Sequence, residues 1–375
     1  MLKYLKVTKT KLFSDITTVP EILQGKYYSS LDGLRAIAIL MVMLAHFGAD
    51  TILLHYNLLI DSEIGVHIFF VLSGFLITTQ LIKEKLRTGN ISVKRFYTRR
   101  ILRIVPLAYL FLIVLVIISV CYYRMSTKSD FIYSFLFLKN LPIKNQPFTA
   151  HLWTLSVEEQ FYIILPLLMY LGIKKYFNFA LLVVIFVPLL SILAFNSIGY
   201  PFTNHIFELI IKFIMYSFWK GPTIILISSV FSILTFKGII KSEPNNKHYF
   251  LSFFLLILAI LISTRTFILY SKYTSEYISS IIIAYVILLN IRSQNFLSKI
   301  LSNRILVKIG ILSYSIYMWQ QIFIGKFFWI PWLKELNSLP LIFIIALKLV
   351  FMIPIAYISY YLFETPFLKL KERFK

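Results

Sequence analysis

A single cysteine, Cys121, stands in 375 residues. That excludes an internal disulfide framework and any metal site built from several cysteines. Acidic residues are scarce, with 16 Asp and Glu against 38 Lys and Arg, and charged residues of both signs make up only 14% of the chain. No hydrophilic stretch is long enough for an appended soluble domain, and there is no internal repeat or low-complexity tract. Residues 1–26 are polar and lysine-bearing without an apolar core. No signal peptide is therefore expected there, and the first apolar run must itself direct insertion.

Apolar residues fill the space that these absences leave. The chain is 59% hydrophobic, with a mean hydropathy of +0.80. A soluble domain of this size does not have that composition, so an all-α polytopic membrane protein is expected. Apolar runs near 34–54, 64–82, 104–123, 157–173, 178–195, 221–236, 249–264, 277–291, 309–329 and 340–362 read as ten spans, each close to the ~20 residues a bilayer requires. The shorter run 206–218, with Glu208 and Lys212, reads as an interfacial or re-entrant piece. A net charge of +22 could suggest nucleic acid, but the basic residues fall in short loops between apolar runs. With the N-terminus inside, 27 of the 38 lie on the cytoplasmic side, and Lys348 lies within a span. This is the positive-inside signature. The expectation is a bundle of about ten transmembrane helices in the cell membrane, with both termini cytoplasmic and no nucleic-acid partner. Residues 1–30 form a cytoplasmic segment, 31–364 the transmembrane domain and 365–375 a basic cytoplasmic tail.

Several polar residues exceed what insertion needs. The run LDGLRAIAILMVMLAH places ten apolar residues, Ala36 to Ala45, between Arg35 and His46. In a helix those two groups are close to three whole turns apart on one face, separated by roughly 16 Å. Arg35 reads equally well as a head-group anchor and as a ligand. His46, expected deep in its span, has no such simple explanation, because an ionisable group there faces a cavity or a partner. Ser73-Gly74 within a span suits close helix packing, and His67 suits a wet interface. Arg99, Arg100 and Arg103 share a helix face by their spacing. They read either as a topology signal or as a phosphate clamp. Ser156-x-x-Glu159 has the spacing of a capping box, which gives Glu159 a structural role. Glu158 is then a second carboxylate without one. Pro166 should kink the same helix.

These residues resemble the acyltransferase 3 family of integral membrane acyltransferases. The resemblance covers nearly the whole chain and runs in the family's order: the Arg35/His46 spacing, GVHIFFVLSGFLIT at 65–78, FYTRRILRIVP at 96–106, HLWTLSVEEQFY at 151–162, YSIYMW at 314–319 and FETPF at 363–367. It implies a bundle of about ten helices, an acyl-coenzyme A donor (acetyl-coenzyme A the expected one) taken from the cytoplasm, and a cell-surface or lipid-linked carbohydrate acceptor outside. It also implies functional importance for Arg35, His46, Arg99, Arg100, Arg103, Trp153 and the Glu158–Glu159 pair. His67 stands where many relatives carry Asp, and Gln320 where many carry His. Some members carry a fused extracellular hydrolase-like domain that is not seen in this sequence, so a partner transferase on the outer side is expected to be a separate protein or unnecessary.

Residues and resemblance combine into an expected mechanism. Arg35, Arg99, Arg100 and Arg103 hold the donor's phosphates. His46 is the general base on the acceptor hydroxyl, because its unperturbed pKa lies near working pH. Glu158 orients or charge-balances the imidazole or serves as an alternative acid or base, and Glu159 stands beside it as a second catalytic candidate. Trp153, Ser73 or His151 meets the acceptor or the developing oxyanion. No metal enters, and no nucleophile elbow marks a covalent intermediate. A glycan or lipid flippase would also place Arg, His and Glu in the membrane, and a non-catalytic membrane partner is a third class. The topology has a direct test. Reporter fusions at Lys375 and in the 83–103 loop should read as cytoplasmic and one in the 124–150 loop as external; an external Lys375 would break the even span count.

Overall fold

The computed structural model describes residues 11–12, 14–55, 62–122, 125–141, 146–195, 221–240, 249–263, 272–324, 335–336 and 338–374. The 206–218 run lies outside them. Among the described residues every regular element is helical. In chain order they are a 3-10 turn (Glu21–Leu23), α1 (Ser29–His46), α2 (Ala49–His55), α3 (Ser62–Thr88), α4 (Val93–Cys121), α5 (Lys128–Phe135), α6 (Leu152–Leu171) and α7 (Ile173–Phe195). There follow α8 (Pro222–Phe236), α9 (Leu251–Ser263), α10 (Lys272–Asn290), α11 (Phe296–Leu301) and α12 (Arg304–Trp319). A 3-10 turn (Gln320–Phe323), α13 (Leu341–Ile358), a π-helical stretch (Ser359–Glu364) and α14 (Thr365–Glu372) complete the order. Five helical stretches are long and apolar enough to cross a membrane among the described residues: Ser29–His46, Glu63–Thr88, Val93–Cys121, Ile173–Leu190 and Leu341–Glu372. Shorter apolar helices occupy Pro222–Phe236, Leu251–Ser263 and Thr274–Asn290. The chain is a membrane protein.

Two helices differ from the expected spans in ways that matter below. The first was expected to run to residue 54 but stops at His46. Gly48 adopts φ +96°, a left-handed conformation that suits glycine. The amide of Phe47 closes on Met43 O at 2.9 Å and that of Gly48 on Ala45 O at 3.1 Å, a tight C-terminal end. His46 therefore ends a helix rather than sitting inside one. The third expected span, 104–123, begins eleven residues earlier as α4, with Ser92 Oγ capping Arg95 N at 3.4 Å. Arg99, Arg100 and Arg103 thus lie within a helix, as their spacing implied, although the expected apolar span began only at 104.

The chain divides into two compact units. The first holds the residues up to Leu34, His67–Ile91 and Ile164–Val307; the second holds Arg35–Val66, Ser92–Ile163 and the chain from Lys308 onward. In the first unit α9 lies along α10, and α8 packs on α7 and α10. Hydroxyls join the buried helix faces: Thr78 Oγ1 to Ser229 Oγ at 2.6 Å, Thr79 Oγ1 to Ser232 Oγ at 2.9 Å and Tyr176 OH to Ser229 Oγ at 2.5 Å. Lipid tails are as apolar as leucine, so helices in a membrane associate through close packing and such hydrogen bonds. Gly74 supplies the closeness, since a Cβ there would overlap the carbonyl of Ile225 and the hydroxyl of Ser228. The packing role expected for the Ser73-Gly74 pair is borne out at Gly74.

In the second unit α4 packs against α5, α14 and the π-helical stretch, and α13 against α2 and the 3-10 turn. Tyrosine hydroxyls reach backbone carbonyls across it: Tyr97 to Ile163 at 2.6 Å, Tyr109 to Phe135 at 3.0 Å and Tyr314 to Ile104 at 2.7 Å. Pro166 withdraws the backbone donor of Tyr162 O, and Tyr97 ties α4 to the next carbonyl of the same turn, Ile163 O.

Gly74→Ala is expected to destabilise the first unit by about 1–3 kcal/mol, the usual cost of overpacking. Thermal unfolding in detergent measures it, and an unchanged transition would show that α3 and α8 separate readily.

Candidate active site

All the expected site residues except Ser73 belong to the second unit, and six of them form two groups along α12: Arg100, Arg103, Glu158 and Glu159 at one end, His46 and His151 at the other. Ser73 is on α3, in the first unit. Tyr314, Tyr317 and Gln320–Gln321 recur at helical spacing along α12 and its 3-10 extension, so their side chains share a face.

At the Tyr314 end lies a cluster of charges, mostly half-buried. The Arg100 guanidinium packs over the ring of Phe96 at 5.4 Å and that of Tyr162 at 5.1 Å, and lies within electrostatic reach of Glu159, Glu158 and Arg103. Tyr314 sits in the field of Glu364, Glu159, Glu158 and Arg103, while Ser315 donates from its hydroxyl to Glu364. The expected capping box does not form. α6 starts at Leu152, so Ser156 is already inside the helix; its hydroxyl donates to Leu152 O at 2.8 Å and accepts from Lys139 N at 3.1 Å. Glu159 therefore loses its structural explanation, and its buried Oε1 has no hydrogen-bond partner.

The three arginines of the expected clamp occupy different surroundings. Arg99 Nη1 donates to Phe374 O at 2.8 Å and so ties the tail to α4. Arg100 is enclosed by aromatic rings beside the two glutamates. Arg103 is exposed. Arg35 is half-buried on α1, eleven residues before His46 on a continuous helix, as expected from the spacing.

At the Gln320 end the group is of a different kind. His46 and His151 are electrostatic neighbours, and the Gln320 amide lies beside His46 without either of its polar atoms completing a hydrogen bond. Gln320 is 0% and His151 3% exposed. Both ring nitrogens of His151, Nδ1 of His46 and Nε1 of Trp319 are buried and also without partners. Aromatic rings wall the group: Phe111 stands 5.3 Å from His151 and 5.8 Å from Trp319, and Tyr317 is 5.3 Å from His151. Tyr317 OH donates to His151 O at 2.8 Å and pairs with Thr154 Oγ1 at 2.6 Å, and Gln321 Nε2 donates to Pro147 O. A buried ion pair supports the loop that carries His151. Lys139 donates to Asp130, which also accepts from Ser126 and Thr149. Burial pushes the His151 imidazole well below the usual histidine range, and His46 and Lys139 push it the same way. Trp153 follows two residues after His151, half-buried near the start of α6.

Buried polar atoms in a folded protein are paired in the great majority of cases, so each exception needs a reason. Here six such atoms, on His46, His151, Gln320 and Trp319, gather in one place. Sequence reasoning named His46 and His151 but missed Tyr317, Trp319 and Glu364 as site members. The polar stripe at three-residue spacing along α12 was the available signal.

A family model described as an acyltransferase domain matches residues 28–361. The chain belongs to the acyltransferase 3 family. The peptidoglycan O-acetyltransferase OatA of Listeria monocytogenes is 30% identical to it over 337 residues, covering 79% of this chain and 49% of the relative. The O-acetyltransferase OatA of Staphylococcus aureus is 24% identical over 380 residues, covering 95% of this chain and 59% of the relative. The chain thus spans about half to three fifths of the length of these relatives. No solved structure matches it.

The charge cluster can be tested by a mutant cycle. Arg100→Met removes the guanidinium from beside two half-buried carboxyl groups and should cost about 1–3 kcal/mol. Adding Glu159→Gln should restore part of that loss in detergent unfolding measurements. Strictly additive losses would mean that the two side chains do not interact.

Proposed function

We propose that this chain is a multi-pass O-acyltransferase of the plasma membrane. It moves an acyl group, acetyl by preference, from cytoplasmic acyl-coenzyme A to a hydroxyl of a cell-surface carbohydrate. The proposal includes a bundle of about ten spanning helices with both termini cytoplasmic. One observation carries the reading: buried polar atoms of His46, His151, Gln320 and Trp319 gather within one aromatic wall, in a chain of this family. The Listeria relative is named for peptidoglycan, which supports a glycan acceptor here.

The proposed chemistry follows from the residues. A glycan hydroxyl approaches His46, and the imidazole takes its proton as the oxygen attacks the thioester carbonyl. The carbonyl oxygen gains negative charge, which an indole N–H can stabilise. Trp319 Nε1 is buried without a partner, and its ring packs on Phe111 as that of His151 does; Trp153 and Ser73 are the donors expected from the sequence. The acyl–oxygen bond forms as the acyl–sulfur bond breaks, and the thiolate leaves and takes up a proton. His151, held neutral by burial, offers one ring nitrogen as an acceptor for the sugar. Arg35 and Arg103 are the proposed contacts for donor phosphates, with Arg99 where the tail releases it. Arg100 has a different task, which is to hold Glu158 and Glu159 in the bundle. Those carboxylates, joined to the histidine group through Tyr317, balance the charge on the imidazolium.

His46→Ala should leave expression and acyl-coenzyme A binding close to wild type and reduce acyl transfer by roughly two to four orders of magnitude. The acidic limb of the pH–rate profile, where the base becomes protonated, should vanish in the variant. Retention of most of the transfer rate would place the base elsewhere.

A further inference from the structure

One cation in the second unit has no part in this scheme. Lys348 lies seven residues into α13, roughly 10 Å along the helix from Leu341. It is flanked by Ile344, Ile345 and Met352, all buried, and is itself 3% exposed. Its Nζ stands 5.3 Å from the centre of the Phe47 ring. Among the described residues no carboxylate pairs with it. A lysine near a helix end can extend its amine to the head groups, but at 3% exposure Lys348 has not done so. An ammonium group in an apolar bundle is costly, and the face of one phenylalanine returns only a fraction of that cost. A charge retained under those conditions has a partner that arrives.

The position says where the partner arrives. Phe47 directly follows His46, and Gly48 ends α1 at this point, so the Lys348 amine lies beside the end of α1 that carries the proposed base. α13 also packs against the 3-10 turn that bears Gln320. The neutral acceptors and donors around His46 suit a sugar's hydroxyls and amides; the ammonium suits an anion on the same molecule.

We propose that Lys348 is a specificity-determining residue that binds an anionic oxygen group, a carboxylate or phosphate, carried by the carbohydrate acceptor. This rests on the acyltransferase reading above and adds the class of acceptor: an acidic glycan rather than a neutral one. The ammonium group would anchor the acid while the neighbouring hydroxyl meets His46. A point charge on a flexible stem accepts either anion.

The test uses the full chain in nanodiscs with acetyl-coenzyme A. The acceptor is a disaccharide of N-acetylglucosamine and N-acetylmuramic acid, offered as the free carboxylate and as its neutral methyl ester. Wild type should prefer the acid. Lys348→Met should raise KM for the acid by on the order of ten- to a hundredfold, the value of one charged hydrogen bond, with kcat nearly unchanged. It should leave KM for the ester unaltered, and Lys348→Arg should keep the preference. An equal loss with acid and ester in Lys348→Met would make the lysine structural and overturn the assignment. So would a preference that survives in Lys348→Met. An effect that follows the phosphatidylglycerol content of the nanodiscs would assign the anion to a lipid and overturn it likewise. Failure of wild type to acylate either acceptor would overturn the acyltransferase reading together with this one.

Discussion

An ionised side chain cannot remain alone inside a helical bundle, and the second unit is organised around that constraint. Arg100 enters on α4, where two aromatic rings cover its guanidinium. Glu158 and Glu159 enter on α6, and Glu364 through the π-helical stretch after α13. Each would be intolerable without the others, because desolvation of one charge is offset only by a close opposite charge. The helices that carry them must therefore come together. α12 passes through the cluster and leads on, through Tyr317, to the histidines. In the proposed mechanism the charge network supports the chemistry without lying at the reacting atoms.

The first unit solves the association problem with neutral groups. Serine and threonine hydroxyls pair across α3 and α8, and Gly74 lets the two backbones approach. Nothing in that arrangement needs ionisable groups. Hydroxyl pairs and a small residue join helices in the first unit, whereas the Arg100 cluster and the His46–His151 group belong to the second.

Much of this was legible in the sequence, and the reasons for the remainder are specific. Hydropathy alone identifies an α-helical membrane protein, because no alternative buries 59% apolar residues across so many runs. Arg35 and His46 fall on one helix because their spacing is a local property. The end of that helix was misplaced, since an apolar window does not register the left-handed φ of a single glycine. Ser156 and Glu159 had the spacing of a cap, but the helix begins one turn earlier, at Leu152. Glu364, Tyr314 and Arg103 are far apart in sequence, and their convergence is purely tertiary. Tyr317 and Gln320 lay within reach of periodicity arguments, yet a polar residue in an apolar helix acquires meaning only once its neighbours are known.

The π-helical stretch Ser359–Glu364 has a consequence for how this chain can change length. A wide turn of this kind holds one residue more than the α-helix requires. Deletion of a residue there would turn everything beyond it by about 100° around the helix axis. Glu364 would leave Ser315, and α14 would present a different side to α4, where Arg99 now grips the carbonyl of Phe374. The stretch acts as a phase setter between an apolar span and a basic tail. Single-residue insertions and deletions should be far less acceptable there than in the loops, even though the exposed side chains around it are of little consequence one by one.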